Sequence, residues 1–423
     1  MKTSPFAPGD TAVTKKQPSL FTRRQMLHGS GMLVAAAATS SPLFAAPAAS
    51  FSNHRPAPSK RHFVSQAIEA AIVRTKKQIA DPQLAAIFEN CFPNTLDTTV
   101  FPSTINGKPD TFVVTGDIDA MWLRDSSAQV NPYVPLAKED RALQRLFRGL
   151  IRRQARCIRL DPYANAFLRD PRAPPLVWAR QDETDMKPGV GERKWEIDSL
   201  CWPVRLAHAY WRATGDTEPF DDDWRAAMHR VLGTFREQQR LHGRGPYHFQ
   251  RTSDRPSETV ALDGYGPPTR PNGMIHSMFR PSDDACVYPL FVPANLFAVV
   301  ALRQLAAMSH AIHRDAAFAA DSTALADEVE QATHRDGRIR DAEGHDCWAY
   351  EIDGYGNRLF MDDANAPSLL SLPYLGCCTV DDPLYRRTRE RAWSERNPYF
   401  FKGTAAEGIG GPHEGLRMIW PMS

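Results

Sequence analysis

The chain has 423 residues, 42% of them hydrophobic, which is enough for a large buried core. Its 51 Lys and Arg residues nearly balance 49 Asp and Glu residues, so the net charge of +2 does not favour nucleic acid or an anionic surface as a partner. The mean hydropathy of −0.43 argues against a polytopic membrane protein, and the Gly and Pro residues show no fibrous repeat. The composition therefore favours a globular enzyme.

Residues 1–48 have the layout of a twin-arginine export signal. Arg23 and Arg24 precede a short apolar stretch, 31–46, which leads into an Ala-Pro-Ala triplet resembling a cleavage site. The alternatives are an ordinary Sec signal or an uncleaved anchor, although the stretch is short for a bilayer span. The pattern predicts a periplasmic or extracellular protein without stable membrane insertion after export, and it predicts a linker at 49–62.

Seven cysteines are present without a CxxC pair, which leaves a zinc ribbon or a thioredoxin-like site unsupported. Their odd number leaves at least one thiol free even in an oxidising compartment. Cys157, Cys201 and Cys286 lie in apolar helical patterns, and we expect them to be core residues.

From residue 63 onward the dominant pattern is helical. Apolar residues recur at three- to four-residue spacing over 143–158, three acidic residues at 221–223 precede the next such stripe, and 294–312 is apolar almost all round. Period-two segments are few and short, such as 111–114. Successive helices joined by long polar loops predict an all-α toroid, in one catalytic domain over 63–423, whose loops form the site.

Six of these loops combine carboxylates with aromatic residues, Arg, and Gly or Pro. A sugar pocket needs Asp, Asn and Arg for the hydroxyl groups and Trp or Tyr for the apolar faces of the ring. Hydrolysis of a glycosidic bond needs two carboxyl groups, one protonated and one ionised. The loops are 115–126, 161–167, 194–199, 279–286, 360–365 and 408–413.

Each cluster also has a purely structural explanation. The acidic residues at 117–119 could cap a following helix, and Arg124 and Asp125 could form an internal ion pair. Asp362 and Asp363 could be solvated loop charges or a pair of calcium ligands. The recurrence of one polar-aromatic composition on several loops is harder to explain as ordinary surface, so it favours a binding site.

Two adjacent carboxylates, Asp283 and Asp284, stand apart from the others. They follow an Arg-Pro-Ser segment and precede the apolar run Ala-Cys-Val-Tyr-Pro-Leu at 285–290. This places Asp283 at the mouth of a hydrophobic element, where desolvation keeps a carboxyl group protonated near neutral pH.

At these residues the sequence resembles glycoside hydrolase family 125, the exo-acting α-1,6-mannosidases. The resemblance runs from about residue 90 to residue 421 and includes Arg-Pro-Ser-Asp-Asp at 280–284 and Gly-Ile-Gly-Gly-Pro-His at 408–413. It implies an (α/α)6 barrel and a metal-independent inverting mechanism without a cofactor. It also implies that terminal mannose is removed from α-1,6-linked mannosides or mannan-derived oligosaccharides.

Within this resemblance Asp283 matches the general acid of the family, and no residue is expected to bind a metal. The candidate substrate-binding residues are Trp122, Arg124, Asp125, Asp117, Asp198, Asp284, Asp362, Asn365 and His413.

The resemblance also implies a general base, a Glu in a Met-His-Glu-Gly-Phe-like segment beyond the 408–413 loop. The sequence stops at Ser423, so we expect the base and the closing helices of the barrel to be absent and the activity to fall by about 10²–10⁴-fold. His413-Glu414-Gly415 imitates part of that segment. Its register with the flanking motifs places Glu414 in a different loop, so we do not expect it to replace the base.

Three other interpretations remain open from the sequence. One is a mannan-binding protein that keeps the sugar loops without catalysis. The second is a truncated gene product without an independent fold. The third is a metal-dependent hydrolase of another class, which has little support because HExxH, P-loop, G-x-S-x-G and EF-hand motifs are absent from the sequence.

Overall fold

The structure, a computed structural model, describes residues 52–341 and 344–420. The predicted export signal at 1–48 and the start of the predicted linker lie outside the described residues. The prediction of a mostly helical chain is confirmed. The all-α prediction needs one correction, because short antiparallel sheets occur between the helices.

Across 52–341 and 344–420 the structure has eleven α-helices. They are α1 Gln66–Lys76, α2 Pro82–Cys91, α3 Asn94–Thr98, α4 Leu123–Ala128, α5 Arg141–Leu160, α6 Ile197–Thr214, α7 Asp222–Gln238, α8 Val292–Met308, α9 Ala316–Asp336, α10 Leu372–Leu375 and α11 Pro383–Ala392. Short 3-10 helices cover Pro58–Lys60, Asn131–Glu139, Val177–Ala179 and Pro256–Glu258. A π-helical turn, Ser309–His313, continues α8.

The same described residues contain twelve strands in five small sheets. The strands are β1 Val100–Ile105, β2 Lys108–Val113, β3 Met121–Trp122, β4 Ala166–Phe167, β5 Val190–Glu192, β6 Leu290–Phe291, β7 Arg338–Arg340, β8 Asp346–Trp348, β9 Glu351–Ile352, β10 Arg358–Leu359, β11 Phe400–Lys402 and β12 Glu407–Ile409. The sheet orders are β1-β2, β3-β4-β5, β10-β9-β6, β7-β8 and β11-β12, all antiparallel. Hairpin β1-β2 pairs Val100 with Val113, so residues 111–113 of the period-two segment at 111–114 form the end of a strand.

The main helices begin and face the core as their sequences predict. The side chain of Asp140 accepts hydrogen bonds from the first-turn amides of α5, and the apolar stripe of this helix is buried. The Asp221 side chain caps α7 by accepting from the Trp224 amide, which confirms the predicted acidic N-terminus. Helix α8 is buried on nearly every side, as predicted for an inner helix.

The main helices pack against one another. Helix α8 packs against α6 and α9, while α5 packs against α6, α7 and the β2 strand, and α4 packs against α6. The described helices are compatible with an (α/α)6 barrel, which stays a prediction, as does the expectation that its last helices are absent.

One helical segment in the described part of the chain, Val292–His313, is long and apolar enough to cross a membrane by composition alone. Of its most apolar stretch, 72% is buried inside the protein, as in the core helix of a globular domain.

The predicted linker makes specific contacts where it is described. The Arg55 side chain lies 2.8 Å from Asp97 and 2.7 Å from Glu69 through ion pairs, and only 5% of it is exposed. The His54 amide donates a hydrogen bond to Asn90. Residues 52–62 are therefore tied to the first helices.

All seven cysteines are free thiols. Cys157, Cys201 and Cys286 are buried, which confirms that they are core residues. Burial raises the pKa of each of these three thiols, so they are poor nucleophiles.

Candidate active site

Loops that are distant in sequence meet around a cavity of about 550 Å³. Six of the ten residues predicted from the sequence line it: Trp122, Arg124, Asp125, Asp283, Asn365 and His413. A cavity of this size with an aromatic wall and several charged groups has the composition that a sugar pocket needs.

Asp283 enters the cavity from a tight turn. Its amide donates to the Arg280 carbonyl at 2.9 Å, and its backbone has a φ of 70°, in the left-handed region. The turn is anchored by the buried Arg280 guanidinium, which lies 2.6 Å from Glu351. The Asp283 Oδ1 atom has no hydrogen-bond partner among the residues described. The turn thus places Asp283 in the cavity wall, with this one carboxyl oxygen buried.

Burial raises the pKa of the Asp283 carboxyl group above its ordinary value. Lys194 and Arg124 oppose this effect, and Glu192 adds to it. A carboxyl group with a raised pKa holds its proton at higher pH, which is the property required of a general acid.

Arg124 joins the cavity wall to two buried carboxylates on the first turn of α6 and just before it. Its Nη1 atom donates to Glu196 Oε2 at 2.6 Å and to Asp198 Oδ2 at 3.1 Å. Burial raises the pKa of both carboxyl groups. Burial lowers the pKa of Arg124, but the negative charges of Glu196 and Asp198 raise it by a larger amount, so the net shift is upward. The guanidinium therefore stays charged and fixed beside the cavity.

The loop that follows β10 brings Asn365 to the cavity through Asp362. The buried Asp362 carboxyl group accepts from the Ala364 amide at 2.7 Å and from the Leu370 amide at 3.0 Å. Burial, reinforced by the neighbouring Asp363, raises the pKa of Asp362 to about 7. Asp362 does not line the cavity, so the structure gives this residue a place in shaping the loop rather than a sugar contact.

His413 lies between the cavity and the buried Asp284. Its Nδ1 atom is 3.6 Å from Asp284 Oδ1, and this interaction raises the pKa of His413. Asp284 itself lies behind His413 and does not line the cavity, and Asp198 is likewise one layer back, behind Arg124. Both carboxylates orient a neighbour that does reach the cavity.

Three comparisons with known proteins bear on this geometry. The model of the family described as metal-independent alpha-mannosidase (GH125) matches residues 81–423. This chain belongs to that family.

Two relatives show how far the GH125 similarity extends. The chain is 43% identical to the Meiotically up-regulated gene 157 protein of Schizosaccharomyces pombe over 387 residues, which cover 87% of this chain and 75% of that protein. It is 39% identical to a metal-independent alpha-mannosidase from Streptococcus pneumoniae, whose structure is described as a non-productive substrate complex with alpha-1,6-mannobiose. That superposition has a TM-score of 0.81 and covers 85% of this chain and 84% of the other. Family and neighbour together support an α-mannosidase, a glycoside hydrolase.

In this GH125 chain Asp117 does not reach the cavity. It is exposed in the turn between Thr115 and Ala120, although Thr115 and Ile118 on either side line the cavity. Asp117 does not cap a helix either, because α4 begins at Leu123 and no side chain caps it. Asp117 was predicted because it stands next to the binding motif in the sequence. In the turn its side chain is exposed, whereas Thr115 and Ile118 on either side line the cavity.

Sequence reasoning missed several residues around the GH125 cavity. Trp202 lines it and lies one turn beyond Asp198 on α6, so helical spacing could have found it. Glu196 stands two residues before Asp198 in the same sequence motif, and in the structure it is the second carboxylate partner of Arg124. Tyr374 and Gln129 also line the cavity, but no motif or spacing marks them. Glu414, which was not expected to act as the base, lines the cavity as well.

Over 52–341 and 344–420 no group of three or more His, Cys, Asp or Glu side chains is placed to hold a metal ion. Asp362 and Asp363, considered as a calcium pair, are both buried and bonded to backbone amides of their own loop.

Proposed function

We propose that this protein is an exo-acting α-1,6-mannosidase that removes terminal mannose with inversion at the anomeric carbon. The support is GH125 membership, the α-1,6-mannobiose bound in the similar Streptococcus pneumoniae structure, and the cavity. The observation that carries the proposal is the Asp283 carboxyl group, which lies in the same cavity wall as Trp122 and Arg124 and has a raised pKa.

In the proposed complex the terminal mannose packs its apolar face on Trp122, and its hydroxyl groups bond to Arg124 and Asn365. Protonated His413 contributes a further donor, which its pairing with Asp284 maintains. These contacts leave the glycosidic oxygen directed towards Asp283.

The reaction then balances as one displacement. Asp283 gives its proton to the glycosidic oxygen while the bond from that oxygen to the anomeric carbon breaks. A water molecule forms the new bond from the opposite face and loses its proton to a second carboxylate. Inversion requires about 6.5–9.5 Å between the two carboxyl groups so that water fits between them. In the described part of the cavity wall the other carboxylates are Asp125 and Glu414.

The linkage and the stereochemistry can be tested together. The full 423-residue chain is incubated with α-1,6-, α-1,2- and α-1,3-mannobiose, and the first product is followed by proton NMR. We expect hydrolysis of the α-1,6 linkage first, with β-mannose as the initial product. Preference for another linkage, or α-mannose as the initial product, would contradict the proposal.

A mannan-binding protein without catalysis is the second candidate function. It would show mannobiose affinity by calorimetry without release of mannose. A metal-dependent hydrolase would lose activity in a chelator, whereas the proposed mechanism keeps it.

Export by the twin-arginine route belongs to the same proposal, because Arg23 and Arg24 precede the short apolar stretch 31–46. Replacement of Arg23 and Arg24 by Lys should retain the protein in the cytoplasm. Export of this variant at the wild-type level would contradict that route.

A further inference from the structure

A buried lysine reaches the backbone of the proposed acid from 89 residues away. Lys194 Nζ donates to the Asp283 carbonyl oxygen at 2.9 Å. Only 3% of Lys194 is exposed, and its ammonium group lies 5.0 Å from the centre of the Phe279 ring. Lys194 does not line the cavity. Burial of an ammonium group is costly, so its position calls for an explanation.

Electrostatic attraction to the buried Glu192 carboxylate, whose pKa Lys194 lowers against the effect of burial, supplies only part of that explanation. Glu192, a buried acid on the same segment, pairs instead with Arg251 at 2.8 Å. Glu192 also accepts from Asn165 at 3.0 Å and from Trp178 at 3.1 Å. No carboxylate forms a salt bridge with Lys194 in the part of the chain that the structure describes. The directional contact of its ammonium group is therefore the one to residue 283.

The carbonyl that Lys194 holds belongs to a strained residue. A left-handed backbone is unfavourable for a residue with a side chain, and it persists only where the surroundings fix it. At Asp283 the amide is held by the Arg280 carbonyl, and the carbonyl is held by Lys194. These two contacts hold both sides of the residue whose side chain enters the cavity.

We propose that Lys194 is a positioning residue: its ammonium group fixes the carbonyl of residue 283 and so aims the Asp283 carboxyl group into the cavity. The proposal rests on the proposed role of Asp283 as the acid. Lys194 does not touch the sugar and acts through Asp283 alone.

The positive charge of Lys194 has a second effect on the same acid. The groups that act on Asp283 are Lys194, Arg124 and His413, which lower its pKa, and Glu192, which raises it. Glu196 also lies within electrostatic range. Because Lys194 lowers the pKa of Asp283, its removal raises that pKa, and the acid then stays protonated to higher pH.

The test compares three variants of the full chain for hydrolysis of α-1,6-mannobiose between about pH 4 and 9. Lys194→Met removes both the bond and the charge, whereas Lys194→Gln keeps a donor without the charge. Lys187→Met is the matched control, since Lys187 also donates to a backbone carbonyl, at 3.4 Å from Leu160, but lies outside the cavity.

We expect kcat of Lys194→Met to fall about 10- to 100-fold with KM changed less than about threefold, because orientation is lost without a sugar contact. The alkaline limb of kcat/KM should move to higher pH in both Lys194 variants, and kcat of Lys194→Gln should fall less. The Lys187→Met profile should match the wild type.

An alkaline limb that does not move in either Lys194 variant would overturn the proposal, and so would a raised KM at unchanged kcat. If Lys194→Met does not fold, kcat of Lys194→Gln and its alkaline limb decide together: kcat and limb both equal to those of the wild type would overturn the proposal. If neither the wild type nor Lys187→Met hydrolyses mannobiose, the proposed function is refuted, and the inference with it. If the wild type and Lys187→Met are active and the Lys194 variants have the same kcat, KM and pH profile, only the inference about Lys194 is refuted.

Discussion

Arg124 is the residue on which two buried carboxylates depend. Glu196 and Asp198 lie 2.6 and 3.1 Å from its guanidinium, and each has a second oxygen without a hydrogen-bond partner among the residues described. Removal of one partner of a buried ion pair is more damaging than the net value of the pair, because the remaining charge stays desolvated.

Arg124→Met should therefore lower the free energy of unfolding by about 3–5 kcal/mol, measured by urea denaturation at about pH 7. Arg172→Met, which removes an exposed ion pair, is the control and should leave stability unchanged. Adding Glu196→Gln and Asp198→Asn to Arg124→Met should restore part of the loss. No recovery would show that the ion pairs are not the cause.

Glu414 is the carboxylate whose role the sequence and the structure present differently. Register with the flanking motifs places it outside the base segment of the family, yet it lines the cavity and burial raises its pKa. We expect Glu414→Gln to reduce kcat on α-1,6-mannobiose less than about tenfold. A loss of about 10²-fold or more, with loss of the acid limb of the pH profile, would make Glu414 the base.

Single residues were predictable where the local sequence fixes their surroundings. Asp283 follows Arg-Pro-Ser and precedes an apolar run, so its burial could be inferred from its neighbours in the chain. Lys194 could not be recognised in this way, because its contact with residue 283 crosses 89 residues. Asp117 shows the opposite error, since a motif places the residue near the site but the turn directs it outward.

At the scale of elements, the loop that carries Asn365 is organised by two buried carboxyl groups, Asp362 and Asp363, of which Asp362 has the clearer pH signature. The pKa of Asp362 is raised by burial to about 7 from an ordinary value near 4. Between these two pH values the folded state binds more protons than the unfolded state. The contribution of the Asp362 carboxyl group to the free energy of unfolding is therefore present at low pH. It falls by about 1.4 kcal/mol per pH unit as the pH rises through this range.

Asp362→Asn should remove this dependence, so the stability difference from wild type should shrink between about pH 4.5 and 7.5 in urea denaturation. Asp353 gives a control of opposite sign. Burial raises the pKa of Asp353, but hydrogen bonds from Asn357 and from backbone amides lower it by a larger amount, so the net shift is downward. The cost of Asp353→Asn should grow as the pH rises towards and above about 4. Parallel pH profiles for the two variants would contradict the assignment.

Helices were the elements that the sequence predicted best. The stripe over 143–158, the acidic cap before α7 and the all-round apolar character of α8 are each local patterns, and each proved correct. The short strands β3 to β5 were not predictable in the same way. They have two or three residues each and form because distant loops pair, so no period can reveal them.

At the scale of the whole molecule, the cavity is an assembly of loops from most of the chain. Trp122, Asp283, Asn365 and His413 come together although almost 300 residues separate the first from the last. Composition and motifs identified the kind of residue needed, but only the fold shows which of them meet. The sequence predicted Asp362 and Asp284 as sugar contacts. In the structure they lie behind the cavity wall, where Asp362 supports the loop that carries Asn365 and Asp284 pairs with His413.

The proposed mechanism needs the Asp283 proton to cleave the bond between two mannose units, and a single substitution removes that proton. Asp283→Asn in the full chain is compared with wild type for turnover of α-1,6-mannobiose and for its binding by calorimetry. Asp222→Asn, whose side chain is 97% exposed, is the control. We expect kcat to fall about 10²–10⁴-fold while Kd changes less than about threefold. Unchanged turnover, or equal losses of binding and turnover, would contradict it.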